Sequence, residues 1–193
     1  PVVRMNLLGA TTEFTQGITP SSQPARIVRG PDGNMWFSEQ VENTIGRITP
    51  AGVVTEFSEG ISEGAGPVGL TVGPDGNIWF AEYGGSAGRR IGRITPDGVV
   101  TEFGEGITAA PLEITLGPDG NLWFTESFGN RIGRVRLDPE VTTGAASAIE
   151  SNRARLAGVV NTIGSATSYT FEFGRTTAYG SASAPRTLTA GGE

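Results

Sequence analysis

The chain of 193 residues contains no cysteine and no histidine. Without cysteine it has no disulfide, no thiolate nucleophile and no cysteine-ligated zinc. Without histidine it lacks the side chain most often used to move protons near neutral pH. A Ser-His-Asp triad and a histidine-ligated metal are therefore excluded, and only a carboxylate-based site stays open. Long apolar runs are missing as well. None approaches the roughly 20 residues that span a bilayer, so no insertion into a membrane is expected. Positive charge is scarce: 14 Lys and Arg against 20 Asp and Glu give a net charge of −6. No basic block occurs, and a nucleic-acid partner is not expected. No secretory leader is visible and the first residue is Pro1, so the chain reads as a processed or excised piece.

Glycine and proline are plentiful, at 30 and 12 residues. That composition favours short strands joined by tight turns. One phrase occurs three times: GPDGNMWFSE from Gly30, GPDGNIWFAE from Gly73 and GPDGNLWFTE from Gly117. A second travels with it, as TIGRITPAGVVTEF from Thr44, RIGRITPDGVVTEF from Arg90 and a decaying RIGRVRLDPEVTT from Arg131. A worn copy, RMNLLGATTEF, begins at Arg4. Repeats of about 40–45 residues with four short strands each are propeller blades. The middle copy divides into strands over 68–72, 77–82, 90–95 and 99–103, with GPDG as a proline-led turn. Trp36, Trp79 and Trp123 are expected between successive sheets, because a single sheet cannot bury both its faces.

Glu39, Glu82 and Glu126 follow the Trp-Phe pair, and Arg47, Arg93 and Arg134 follow Ile-Gly. Charges present in every repeat are expected to be structural, and some of these Glu and Arg side chains are expected to pair across strands. Ligand contacts are expected where the repeats differ, in loops at the channel mouth. The middle repeat has the longest link from Trp to the next Ile, with YGGSAGRR inserted from Tyr83 to Arg90. Tyr83, Arg89 and Arg90 there could hold an acidic or sugar-like ligand. Phe128 stands in the corresponding loop of the next repeat. Arg26, Gly69 and Glu113 share one first-strand position, which is expected to line the channel.

These phrases resemble the blades of the streptogramin lyases, also called virginiamycin B lyases, over roughly Arg4 to Asp138. The resemblance implies a seven-bladed propeller and an enzyme that opens streptogramin B antibiotics by elimination. It also implies a magnesium ion and a histidine base supported by a glutamate. No position here can accept that histidine, so no catalytic residue is transferred. From about Glu140 the composition shifts to Ala, Ser and Thr, and VTTGAASAIESNRARLAGVVNTIGSATSYTFEFGRTTAYGSAS is similar to the opening of a bacterial fibronectin type III-like module.

The expected fold is all-β: about three and a half four-stranded blades over residues 1–139, then the start of an immunoglobulin/fibronectin III-like β-sandwich over 140–193. The leading expectation for function is a non-catalytic scaffold or recognition module of a bacterial cell surface or secretion product. Its partner would be a protein, glycan or cell-wall ligand, and it would need no cofactor. One alternative is part of a streptogramin B lyase whose catalytic residues lie outside this chain, with magnesium required only then. Another is a self-assembling subunit of a surface layer or filament, in which open propeller edges or two half-rings join as a homo-oligomer.

Overall fold

The computed structural model describes all residues except 86–87, 152, 164–166, 177 and 189–193. The chain divides into two compact units, Pro1–Arg136 and Leu137–Glu193.

The first unit opens with a hairpin of β1 (Val2–Met5) and β2 (Thr11–Phe14). A four-stranded antiparallel meander follows, made of β3 (Pro24–Arg29), β4 (Met35–Glu39), β5 (Thr44–Ile48) and β6 (Val54–Phe57). Strands β7 (Pro67–Val72), β8 (Ile78–Glu82), β9 (Arg90–Ile94) and β10 (Val100–Phe103) repeat it. The third sheet has only β11 (Pro111–Leu116), β12 (Leu122–Glu126) and β13 (Arg131–Val135). The first strands β3, β7 and β11 lie side by side. The sheets therefore radiate from them in the manner of propeller blades.

The repeated phrases build each blade residue by residue. In the GPDG turn, Gly33, Gly76 and Gly120 take φ of 80°, 72° and 74°, a region open mainly to glycine. Asp32 accepts hydrogen bonds from the Asn34 amide at 3.1 Å and from the Trp36 indole N–H at 3.1 Å. Asp75 and Asp119 do the same for Trp79 and Trp123. Burial pushes the Asp32 carboxyl up, but the bonds from Asn34 and Trp36 and the charge of Arg47 outweigh it, leaving it below the usual range. Phe37, Phe80 and Phe124 lie opposite Gly46, Gly92 and Gly133 in register, and any Cβ at those glycines would run into the ring. That is the reason for the recurrent Ile-Gly.

Arg47 stands opposite Trp36, with its guanidinium 5.5 Å from the Trp36 ring and 5.3 Å from Phe57. Trp36 and Phe57 stack at 5.5 Å, and Trp79 and Phe103 at 5.4 Å. Arg47 Nη1 also reaches Asp32 at 3.9 Å, and Arg93 reaches Asp75 at 3.8 Å. Trp36 joins Ile45 with Leu70, Ile78, Phe80 and Ile94 in the core between the first two full sheets. Trp36 and Trp79 are fully buried, as their place between sheets requires.

The third sheet has three strands among the described residues where the two before it have four. In the repeat alignment Pro139 takes the place of Gly52 and Gly98, which turn their hairpins at φ of 90° and 92°. Those glycines also donate their amides to Thr49 and Thr95. Proline is locked near a φ of about −65° and has no amide proton, so the third hairpin cannot close in the same way. The segment aligned with the fourth strands of the first two sheets, β14 (Glu140–Thr143), pairs with β15 (Gly158–Asn161) in the second unit. Gly144 stands where Phe57 and Phe103 stand, so among the described residues Trp123 has no stacking ring, and it is 36% exposed.

In the second unit, β16 (Thr167–Tyr169) pairs with β19 (Arg186–Leu188), and β17 (Glu172–Phe173) pairs with β18 (Ser181–Ala182). Its described residues form three two-stranded ladders. The run TSYTFEFG is not one continuous strand but breaks at Thr170–Phe171.

Truncating a fully buried Trp costs about 3–5 kcal/mol. Trp79→Ala is therefore predicted to lower stability by roughly that amount and Trp123→Ala by less than half of it, read as shifts of the urea unfolding midpoint. Equal losses would mean that Trp123 is as well covered as Trp79.

Candidate functional site

Two sets of loops meet at one end of the blades: the links between second and third strands, and the links between blades. At this end Pro24, Pro67 and Pro111 open the first strands opposite Glu39, Glu82 and Glu126. Each first strand then shifts register, between Pro24 and Ile27, Pro67 and Leu70, and Pro111 and Ile114. Such bulges re-aim a side chain out of the regular alternation, and here they carry Arg26, Gly69 and Glu113. The Arg26 amide donates to Ser38 Oγ at 3.2 Å, and that hydroxyl donates to the Val68 carbonyl at 2.6 Å, tying one blade's bulge to the next. The Glu113 amide donates to Thr125 Oγ1 at 3.1 Å.

The three positions converge as the shared repeat position implies. Arg26 Nε donates to Glu113 Oε1 at 2.9 Å, and Arg26 Nη2 bonds the same oxygen. Gly69 lies between the two strands: a Cβ there would stand 2.6 Å from the Leu112 carbonyl oxygen and 2.8 Å from Glu113 Cα. The hydrogen bond and charge of Glu113 raise the Arg26 pKa above its ordinary value. Both side chains are about half exposed, so the pair is screened and contributes at most about 1 kcal/mol. A ligand with a carboxylate or a cation can exchange with it at little cost.

Beside this pair the rim carries two aromatic residues. Tyr83 and Phe128 come from adjacent blades and their ring centroids lie 6.2 Å apart, tilted by 35°. The Tyr83 amide donates to the Gly66 carbonyl at 3.0 Å and the Gly84 amide to Ala65 at 2.7 Å, which anchors the start of the inserted loop. Phe128 is 81% exposed. Arg89 is exposed. Arg90 differs from the expectation of a paired-arginine grip. It stands opposite Glu82 in register and its Nε lies 3.7 Å from Glu102, so it belongs to the blade's own charge network. Ser86 and Ala87 of the insertion lie outside the described residues.

The expected pairing of Glu39, Glu82 and Glu126 with Arg47, Arg93 and Arg134 does not occur. The register places those arginines opposite the tryptophans and the glutamates opposite Thr44, Arg90 and Arg131. The arginines bind the turn aspartates, with Arg134 at 3.4 Å from Asp119. The glutamates hold loops. Glu39 accepts from Ser22 Oγ at 2.5 Å and Thr44 Oγ1 at 2.7 Å. Glu126 accepts from the Thr108 and Ala109 amides and from Arg131.

Two carboxylates not singled out in the sequence share this work. Glu56 accepts from the Thr19 amide and hydroxyl, both at 2.6 Å. Glu102 accepts from the Ser62 amide at 2.5 Å and hydroxyl at 2.6 Å. The recurrent TEF and GIT/GIS phrases were the available signal: in both four-stranded blades the last strand clamps the link that leads into that blade.

Glu82 is the exception. Ala65 stands where Ser22 stands in the first blade, and Glu82 is fully buried with neither carboxyl oxygen hydrogen-bonded. Burial first, then the negative charge of Glu102, push its pKa up to about 8 against the pull of Arg90. Glu39 is also raised, by burial and by Glu56, but its two hydroxyl donors oppose the shift. Among the described residues no group of three or more Asp, Glu, His or Cys side chains could hold a metal ion.

The family model of the virginiamycin B lyase family matches residues 1–180. This chain belongs to the virginiamycin B lyase family. The match runs beyond Arg136 into the second unit. A streptogramin B lyase structure is 31% identical with a TM-score of 0.62, over 81% of this chain and 46% of that one. A virginiamycin B lyase from Staphylococcus aureus is 29% identical with a TM-score of 0.60, over 80% of this chain and 61% of its own. A catalytically inactive variant of the Staphylococcus aureus enzyme, one histidine replaced by alanine, with quinupristin, is 27% identical with a TM-score of 0.59. That match covers 99% of this chain and 63% of the variant. This chain therefore spans about half to three-fifths of the length of these structures. No curated protein matches it.

Glu82 sets a pH dependence. Its folded pKa lies above the unfolded value, so its contribution is fully present below about pH 4.5 and is lost as pH rises through about 8. Glu82→Gln is predicted to leave stability nearly unchanged at pH 4 and to raise it at pH 9, by about 1–3 kcal/mol, because a buried unpartnered charge is removed. Denaturant titrations at the two pH values decide; a variant equally destabilised at both would show that Glu82 is satisfied in the native state.

Proposed function

We propose that this chain is a recognition module of the virginiamycin B lyase family, a non-catalytic propeller scaffold that binds its ligand without turning it over. The observation that carries this reading is the chain's lack of any histidine. The family's relative with one histidine replaced is catalytically inactive and is nevertheless described with quinupristin. Binding and turnover are thus separable on this fold, and this chain retains a wall for binding. Arg26 and Glu113 supply exchangeable charges at the channel, and Tyr83, Phe128 and Arg89 supply aromatic faces and an exposed cation at the rim.

Such a wall suits a protein, glycan or cell-wall ligand that presents a ring beside a charged group. A bacterial cell-surface or secreted setting accords with the Ser/Thr-rich second unit. That unit is read, within this proposal, as the start of a fibronectin type III-like module over residues 140–193, following blades over 1–139.

Quinupristin is the probe to use. Saturable binding with no ring opening in the presence of magnesium is expected, with affinity reduced about 10-fold by Tyr83→Ala or Arg89→Ala. Ring opening by the purified chain, or binding unaffected by both substitutions, would overturn the proposal.

The partial coverage of the lyase structures favours a second reading, in which this segment is the binding wall of a streptogramin B lyase and other blades hold the histidine and magnesium. Ring opening by a longer chain containing those blades, with none by this one, distinguishes that reading. The unpaired outer edge of β13 favours association between chains, as two half-propellers or as a surface assembly. Light scattering is expected to give masses at multiples of 20.0 kDa; a monomer at all concentrations rejects association.

A further inference from the structure

The second unit contains a cavity of about 560 Å³, the size of a small-ligand site. It lies between the β14–β15 ladder and the β16–β19 ladder. Val141, Val160, Leu156 and Leu188 form its apolar lining. Tyr169 and Phe171 line it as well, their rings 5.9 Å apart and perpendicular. Arg155 and Arg186 complete it. Arg186 stands directly across from Tyr169 in the β16–β19 register, so guanidinium and ring share one face.

The arginines are the informative feature. In a chain of net charge −6, cations tend to be neutralised nearby. Arg153 follows that rule, with two bonds of 2.8 Å to Glu150. Arg155 and Arg186 do not: among the described residues neither guanidinium has a hydrogen-bond or ion-pair partner, and both are exposed. Two free planar forks at the mouth of an aromatic-lined cavity match an anionic group attached to a ring. A guanidinium binds a carboxylate or phosphate through two parallel bonds, and an aromatic face covers the apolar side of a sugar ring.

We propose that this cavity binds an acidic sugar, the anion held by Arg155 and Arg186 and the ring seated against Tyr169 and Phe171. The site is independent of the propeller rim and of the reading given to it. The anion could be a uronic carboxylate or a sugar phosphate, the shared chemistry being an oxyanion on a pyranose.

The test is calorimetric titration of the full chain with three probes: a trimer of galacturonic acid, glucose 6-phosphate and neutral maltotriose. Binding of either anionic probe, weakened at least 10-fold by Arg155→Gln/Arg186→Gln and by raising salt from 0.05 to 0.5 M, is expected. The trimer binding more tightly identifies a carboxylate source, and the phosphate binding more tightly a phosphate source. Maltotriose should bind at least 10-fold more weakly than the better anion. Arg155→Lys/Arg186→Lys, which keeps the charge but loses the fork, should recover only part of the affinity. Failure of both anions to bind, maltotriose binding equally well, or full affinity in the glutamine variant would each overturn the proposal.

Discussion

Each complete blade depends on one cluster of four side chains: turn aspartate, tryptophan, arginine and last-strand phenylalanine. The aspartate fixes the indole N–H and draws in the arginine, the arginine lies over both rings, and the phenylalanine brings the fourth strand onto the tryptophan. Dispersion, cation–π attraction and a charge-assisted contact act on the same few atoms, under cover of the next sheet. The third blade shows the dependence by subtraction. Pro139 and Gly144 remove the turn and the ring, the fourth strand pairs elsewhere, and Trp123 opens to solvent although its aspartate and arginine are in place.

Much of this was legible in the sequence. The strands of the middle repeat fall within a residue or two of their expected bounds, because alternation and glycine turns fix short antiparallel strands locally. The partners of the repeated charges were not legible. Glu39 and Arg47 recur together, but register decides that they face different neighbours, and register depends on bulges that leave no mark beyond a proline and an irregular count. The missing fourth strand was written in the chain as proline in place of a positive-φ glycine, a signal visible only once the turn geometry of the intact blades is known. Arg26 and Glu113, separated by 87 positions, share one repeat position, but their pairing across Gly69 was not legible from it.

The division of labour within a blade also explains where recognition can arise. Positions that hold loops and sheets together are the same in successive blades, while the bulge position runs Arg, Gly, Glu and the second-to-third-strand links differ in length. Much of the variation falls on exposed side chains such as Arg26 and Glu113, while Gly69 at the same position is fixed by the close approach of the next strand. Glu82 crosses that boundary: it keeps the structural position but has lost the serine that satisfied its counterpart. The membership of the family and the lack of histidine fit together on this view, since the scaffold's stability rests on the repeats and not on catalytic residues.

The most direct test of this account is amide hydrogen exchange across β5, β9 and β13 in the intact chain. In β5 and β9 both sets of alternating amides are paired within four-stranded sheets, and both should exchange slowly. In β13 only the amides facing β12 are paired, and the outward set should exchange at least 100-fold faster than its equivalents in β9. In the monomer, protection of β13 equal to that of β9 would contradict the account, because it would mean that a fourth strand covers the third blade after all.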